Sequence, residues 1–323
     1  MTEATAGAAP GHENSTDVGR RRRLGRLGGA KGIIAGIALD HRDSLRVVLE
    51  RQGIVGLSTA GLRDLKAALA RELAPAATAV MLDAELGSLA LEAGDVPSAT
   101  GLIMPLEAQG YEAQGDRRLT SLLEDFSPLE ALRLGADACK LLLPYRIDDE
   151  SAAALQDAVL VESVAACHGL GLPLVVEPVV HRLSTESPEG YAQAYTGLVV
   201  DAVARLQPLG ADLLKVPFPI PHLEASTLAA ARDACRVLAS ACGETPWVVL
   251  GGGADIDILV DEIRLAGEAG AVGFLAGRSV WGPVLRADVG ETARLAAEIA
   301  RPAFERCRAM AEQTARPLST GRS

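Results

Sequence analysis

The chain has 323 residues and a formal charge of −11, from 31 basic and 42 acidic side chains. Six basic residues (Arg20, Arg21, Arg22, Arg23, Arg26, Lys31) fall within residues 1–31, so the body is strongly acidic, which argues against a broad nucleic-acid surface but leaves room for a local anion site. No apolar run reaches the roughly 18–20 residues that span a bilayer, and the first apolar run lacks the setting of a secretory leader, so the expectation is a cytoplasmic protein with no membrane partner.

Residues 1–30 are rich in Gly, Ala, Thr and Arg without an apolar period, and predict a flexible tail. The Arg20–Arg23 run has no interleaved aromatics and reads as a solvated charge run. Eight short apolar runs follow: Gly32–Asp40, Ala77–Glu85, Gly101–Glu107, Ala138–Tyr145, Leu172–Val180, Ala211–Phe218, Pro246–Gly253 and Ala271–Arg278. Continuous apolar runs of this length suit parallel strands covered on both faces. The intervals Ser58–Leu73, Ala152–His168, Tyr191–Leu206, Leu223–Ala241 and Ile256–Ala269 carry apolar residues at helical spacing, whereas 110–126 reads as a long loop.

Eight strands alternating with helices predict a (β/α)8 TIM barrel over residues 31–317 as a single domain. A doubly wound open sheet is disfavoured, because the first strand–helix turn has no GxGxxG phosphate loop. An extended C-terminal helix is predicted near Arg294–Glu312, kinked or broken at Pro302, with 318–323 disordered. The five cysteines have no CxxC spacing and predict buried reduced thiols rather than disulfides or a zinc site.

In a barrel, function sits at the C-terminal ends of the strands, and here those ends are polar. The first run ends in Asp40, His41 and Arg42; the second holds Asp83 and Glu85. Lys140, Glu177 and Lys215 lie in the fourth, fifth and sixth, Gly251, Gly252 and Gly253 end the seventh, and Gly277 and Arg278 the eighth. Lys215 stands inside DLLKVPFP, where burial disfavours an ammonium ion and favours the neutral amine that forms Schiff bases. Glu177 and Lys140 come from adjacent strands and predict a shared site in which the carboxylate moves protons. The glycine turns and Arg278 match the usual phosphate position of barrels.

These segments resemble the class I tagatose-1,6-bisphosphate aldolase family, which includes the sulfofructose-1-phosphate aldolases. The likeness covers roughly Gly32 to Leu285 and rests on ALDHR, MLDAELG, GYEAQGDRRL, GADACKLLLPY, LVVEPVV, GADLLKVPFP, PWVVLGGG and EAGAVGFLAGRSVW. The resemblance implies Lys215 as the Schiff-base lysine, Glu177 as acid/base, Lys140 as a second active-site lysine, and Asp40 and Arg278 as substrate contacts. The family commonly has Asp-Gln-Arg where this chain has Asp40, His41 and Arg42, and often a serine where the seventh strand ends in three glycines.

The function expected is metal-free and cofactor-free cleavage of a ketose 1,6-bisphosphate, such as tagatose 1,6-bisphosphate, to dihydroxyacetone phosphate and glyceraldehyde 3-phosphate. Cleavage of a sulfonated ketose phosphate and a sugar-phosphate-sensing regulatory barrel are the alternatives. Arg118, beside Arg117 in the long loop, is the candidate for the second anionic end of the substrate. A homo-oligomer is expected.

Overall fold

The computed structural model describes residues 14–108, 112–114, 116–221 and 223–319. The eight apolar runs form the barrel strands β1 (Ile34–Leu39), β2 (Ala79–Leu82), β3 (Gly101–Pro105), β4 (Ala138–Tyr145), β5 (Leu174–Val180), β6 (Leu213–Val216), β7 (Trp247–Gly251) and β8 (Gly273–Ala276). All pair in parallel with their neighbours in sequence, and β8 closes onto β1 with Ile34 opposite Gly273. The expected (β/α)8 barrel is therefore the fold, and the open sheet is excluded by that closure.

Side chains alternate between the two faces of each strand. One set, including Ile37, Leu39, Val80, Leu141, Val176, Leu214, Val249 and Phe274, packs against the surrounding helices. The other, including Ile34, Met81, Ile103, Ala138, Val175, Leu213 and Val248, fills the barrel interior. Burial on both faces is why the strands read as continuous apolar runs.

The principal helices are Thr59–Leu73, Glu150–Gly169, Pro188–Leu206, Leu228–Cys242 and Ile256–Glu268. Their starts are fixed locally: Ser58, Asp149, Ser187 and Asp255 each accept a backbone N–H of the first turn, which satisfies donors that have no partner within the helix. All five cysteines are buried and free.

Three segments differ from expectation. The tail stretch folds from Ser15 to Leu27 as a helix; residues 1–13 lie outside the described part. Arg20 of this helix pairs with Asp212 at 3.4 Å and hydrogen-bonds His168, so His168 is held in a contact rather than left to solvent. Leu27 is fully buried in the interior cluster and plugs the N-terminal end of the barrel. Polarity hid this helix, because one buried residue anchors it and arginines cover the rest. The long loop contains a ribbon pairing Glu112–Gln114 with Arg117–Leu119. At the C-terminus, Leu318 is buried and its N–H donates to Gly32 O at 2.7 Å, while 320–323 lie outside the described residues.

The expected C-terminal helix is present and is not broken at Pro302. Helical turns Val289–Leu295 and Arg301–Thr314 flank a π-turn at Ala296–Ala300. Pro302 has no N–H to offer the preceding turn, and the widened turn lies just before it.

Leu27→Ala should lower stability by about 2–5 kcal/mol, read as a shift of the urea midpoint. Turnover should stay unchanged, because the plug lies at the end of the barrel opposite the catalytic mouth.

Candidate active site

Continuing the interior face towards the C-terminal ends of the strands, apolar residues give way to charge. Asp40 lies two residues beyond Ala38, Lys140 two beyond Ala138, Glu177 two beyond Val175 and Lys215 two beyond Leu213, with Glu107 four beyond Ile103. All five are buried. They line one cavity of about 770 Å³ at the barrel mouth, together with His41, Gly252, Gly253 and Arg278.

The five charges form a chain. Lys215 Nζ lies 2.9 Å from Glu177 Oε1, and Lys140 Nζ lies 3.1 Å from Glu177 Oε2. Lys140 also donates to Asp40 Oδ2 at 3.1 Å and to Glu107 Oε1. The second oxygen of Glu107 accepts the Leu142 N–H at 3.2 Å. Lys140 thus meets three carboxylates and Lys215 one.

The electrostatics follow from that count. Burial by itself would lower Lys140, but Asp40, Glu107 and Glu177 outweigh it and hold Lys140 well above the ordinary lysine range. Burial would likewise raise Glu177, yet Lys140 and Lys215 pull it below its usual value. Asp40 is held far below the carboxylate range, because Lys140, His41 and Lys215 overcome its burial. Glu107 moves the other way: burial raises it, and the pull of Lys140 only partly offsets that. Near neutral pH the cluster therefore holds Lys140 as an ammonium and Glu177 as a carboxylate.

His41 meets the Trp281 ring edge-on at 5.1 Å, and the Trp281 indole N–H is fixed by Ala38 O at 2.9 Å. Burial, with Arg278 and Lys215 adding to it, depresses His41 to about 4, against the pull of Asp40. It is thus a neutral imidazole at pH 7. Gly277 stands directly behind it, where an added Cβ would lie 3.1 Å from His41 Cε1. Gly253 has φ +94° and an added Cβ there would reach 4.0 Å from the Arg278 guanidinium. Glycine lets this turn run left-handed against the arginine.

Among the described residues, no group of three or more His, Cys, Asp or Glu is arranged to hold a metal ion. No helix is long and apolar enough to cross a membrane.

A buried lysine bridged by one carboxylate to a second lysine, in a barrel mouth that an arginine also lines, is the equipment for amine chemistry on a carbonyl. The DeoC/LacD family aldolase profile matches residues 34–282. The chain belongs to that family of aldolases. It is 27% identical over 273 residues to tagatose 1,6-diphosphate aldolase 2 of Streptococcus mutans, covering 80% of this chain and 82% of that one. It is 28% identical to the corresponding protein of Enterococcus faecalis, over 85% and 87% of the two chains. The fold matches a fructose-bisphosphate aldolase from Slackia heliotrinireducens with a TM-score of 0.62 at 20% identity, covering 91% and 89% of the chains. It also matches that of Plasmodium falciparum, with a TM-score of 0.67 at 15% identity over 95% and 98%. The matched span contains every residue of the charged chain.

Several residues expected at the site stand elsewhere. Asp83 has the parity of an inward residue, but β2 ends at Leu82 and the chain turns. Asp83 is fully buried against Lys66 and accepts the Leu86 N–H at 2.7 Å. Arg42 is buried beside the cavity, donating to Glu107 O at 2.7 Å. Gly251 packs on Ala276. Arg118 lines a separate cavity of about 180 Å³ with Arg117, Arg146 and His181. Lys140, Glu177, Lys215, Asp40, His41, Gly252, Gly253 and Arg278 are brought together as expected. Sequence reading missed Glu107, although it ends an apolar run as Asp40 does, and Lys66, whose helical setting gives no sign of burial.

Lys66 and Asp83 form an ion pair behind the site, where burial lowers the lysine against the pull of Asp83. Lys66→Met alone should cost about 3–5 kcal/mol by stranding a buried carboxylate. Adding Asp83→Leu should recover most of that in a urea-unfolding double-mutant cycle.

Proposed function

We propose that this family member is a class I aldolase that cleaves a ketose 1,6-bisphosphate, such as tagatose 1,6-bisphosphate, through a Schiff base on Lys215. The observation carrying the assignment is the inequality of the lysines: three carboxylates hold Lys140 as ammonium, and one, Glu177, serves Lys215. The relatives named tagatose 1,6-diphosphate aldolase support the substrate class.

Lys215 adds through its neutral amine to the C2 ketone, and Glu177 carries the proton to the departing oxygen, which leaves as water. The resulting iminium draws the electrons of the C3–C4 bond as the C4 hydroxyl loses its proton. The aldehyde half departs and leaves an enamine. Protonation at C3 and attack by water release dihydroxyacetone phosphate and restore Lys215. Lys140, held cationic, stabilises the negative charge that passes over the substrate oxygens. Asp40 and Glu107 keep it in that form. Arg278, with the backbone of Gly252 and Gly253, receives the phosphate by charge-assisted hydrogen bonds. His41, neutral, is suited to hydrogen-bond a substrate hydroxyl.

The same reading includes a cytoplasmic setting and a homo-oligomer. Five free buried cysteines support the first. Exposed Leu129, Leu134 and Leu155 on the helical layer support the second.

Borohydride with dihydroxyacetone phosphate should add a single adduct on the Lys215 peptide, before and after overnight EDTA. Lys215→Ala should lose nearly all turnover, and Glu107→Gln should allow part of the label to appear on Lys140. Label on Lys140 in the parent enzyme, or EDTA inhibition reversed by a divalent ion, would overturn the assignment.

The position of Arg278 sets a second expectation. Arg278→Lys removes the planar fork and should weaken substrate binding by about 1.5–3 kcal/mol, seen as a raised KM. Arg118→Ala should change KM by no more than about twofold, since Arg118 lines the other cavity. Faster cleavage of a sulfonated ketose phosphate than of any bisphosphate, measured side by side, would move the chain to the sulfosugar alternative.

A further inference from the structure

The cavity that holds the charged chain extends beyond it. Under the helices that follow β5 and β7, its wall changes from charged to apolar: Tyr195, Phe218, Ile220, Leu223 and Ile258 line this annexe. Two carboxyl groups line this part as well: Glu224, which is exposed and hydrogen-bonded within its own turn, and Glu262 of helix Ile256–Glu268, which is buried.

Glu262 is 8% exposed and, among the described residues, has no hydrogen-bond or ion-pair partner. Buried carboxyl groups are ordinarily paired or hydrogen-bonded, because leaving one unmet is costly. Asp40, Glu107 and Glu177, in the same cavity, all have lysine partners. The proposed cleavage reaction does not use Glu262, and a ketose bisphosphate, anionic at both ends, gains nothing from a carboxyl set in apolar walls. The wall suits the opposite chemistry. A short alkyl stem would bury against Ile220, Leu223 and Ile258, and a cationic head would meet Glu262 in a wall that Tyr195 and Phe218 also line.

We propose that this annexe is a binding subsite for an alkylammonium group, with Glu262 as its counter-ion. The subsite adjoins the Schiff-base centre, so its occupant is either a free organic cation that obstructs the mouth or the tail of an aldehyde joined to the Lys215 enamine in the bond-forming direction. The second route rests on the Schiff-base reading; the binding itself does not.

The titratable groups coupled to Glu262 from the packed elements are Tyr195 on the helix after β5 and Cys235 on helix Leu228–Cys242; Glu224, on the segment after β6, lines the same cavity. Burial raises Tyr195 and Cys235, the latter to about 12, so neither of these two changes charge between pH 6 and 8. Burial pushes Glu262 itself up to about 7. Its carboxylate form therefore grows about tenfold over that range, and affinity for a cation should rise with it.

Calorimetry with pentyltrimethylammonium, in the absence of any sugar, tests the subsite. Binding should strengthen about tenfold from pH 6 to pH 8 and exceed that of 1-pentanol and of pentanesulfonate. Glu262→Gln should weaken it at least tenfold at pH 8 and flatten the pH dependence. Equal binding of the alcohol, a flat pH profile in the parent enzyme, or full affinity in Glu262→Gln overturns the proposal; the parent profile decides even if the variant fails to fold. Given binding, addition of dihydroxyacetone phosphate to 4-(trimethylammonio)butanal identifies the occupant as an aldehyde tail, and no addition identifies it as a free cation. Borohydride trapping on Lys215, run separately, tells a failed Schiff-base reading from a failed subsite.

Discussion

Everything at the barrel mouth depends on how one ammonium ion is shared. Lys140 is in contact with Asp40, Glu107 and Glu177, and Glu177 passes the contact on to Lys215. Placing this many charges out of water costs several kcal/mol per ion unless the pairing is nearly complete. The pairing is complete for Lys140, so that lysine has little freedom to lose its proton. It is thin for Lys215, which shares its single carboxylate. The same network that makes the cluster tolerable to the fold therefore gives two chemically identical side chains unequal surroundings, three carboxylates around Lys140 and one beside Lys215.

The barrel supplies the geometry for this division. Strand alternation sets Lys140, Glu177 and Lys215 on one face of three consecutive strands, and the parallel register brings Leu142 opposite Glu177. Glu107 and Asp40 stand just beyond the ends of β3 and β1, so three carboxylates surround Lys140 at the strand ends. Below them the interior is closed by apolar side chains and by Leu27 of the N-terminal helix. Water is thus excluded from beneath the cluster, which strengthens each contact within it. Loops contribute what the strands cannot. Gly252 and Gly253 form the glycine turn at the end of β7, and the Arg278 guanidinium lies against Gly253.

The cavity is uneven. Its floor and one side are charged, with Arg278 and the lysines, while the side under the helices after β5 and β7 is mostly apolar, with Glu262 and the exposed Glu224 as its carboxyl groups. Both halves were present in the sequence, but in different forms. The charged half interrupts apolar strands, and a lysine in DLLKVPFP is conspicuous for that reason. The apolar half is built from helix and loop residues whose types are ordinary there. Glu262 looks like any glutamate of a surface helix, and its burial comes from packing against Tyr195 and Cys235.

By itself the sequence determined the eight strands, most of the helices and the residues at the strand ends, because these follow from local periodicity and from the alternation of side chains. It therefore located Lys215, Glu177, Lys140, Asp40 and Arg278 correctly at one end of one barrel. Tertiary structure decided the partners. Lys140 meets Asp40 across 100 residues and Glu107 across 33; Asp83 turns away to Lys66 because β2 stops one residue earlier. The polar stretch Ser15–Leu27 becomes a helix because its last residue finds the open end of the barrel. Spacing along a chain states which face a side chain occupies, but the charge a buried group carries depends on which other charges the closed barrel sets against it.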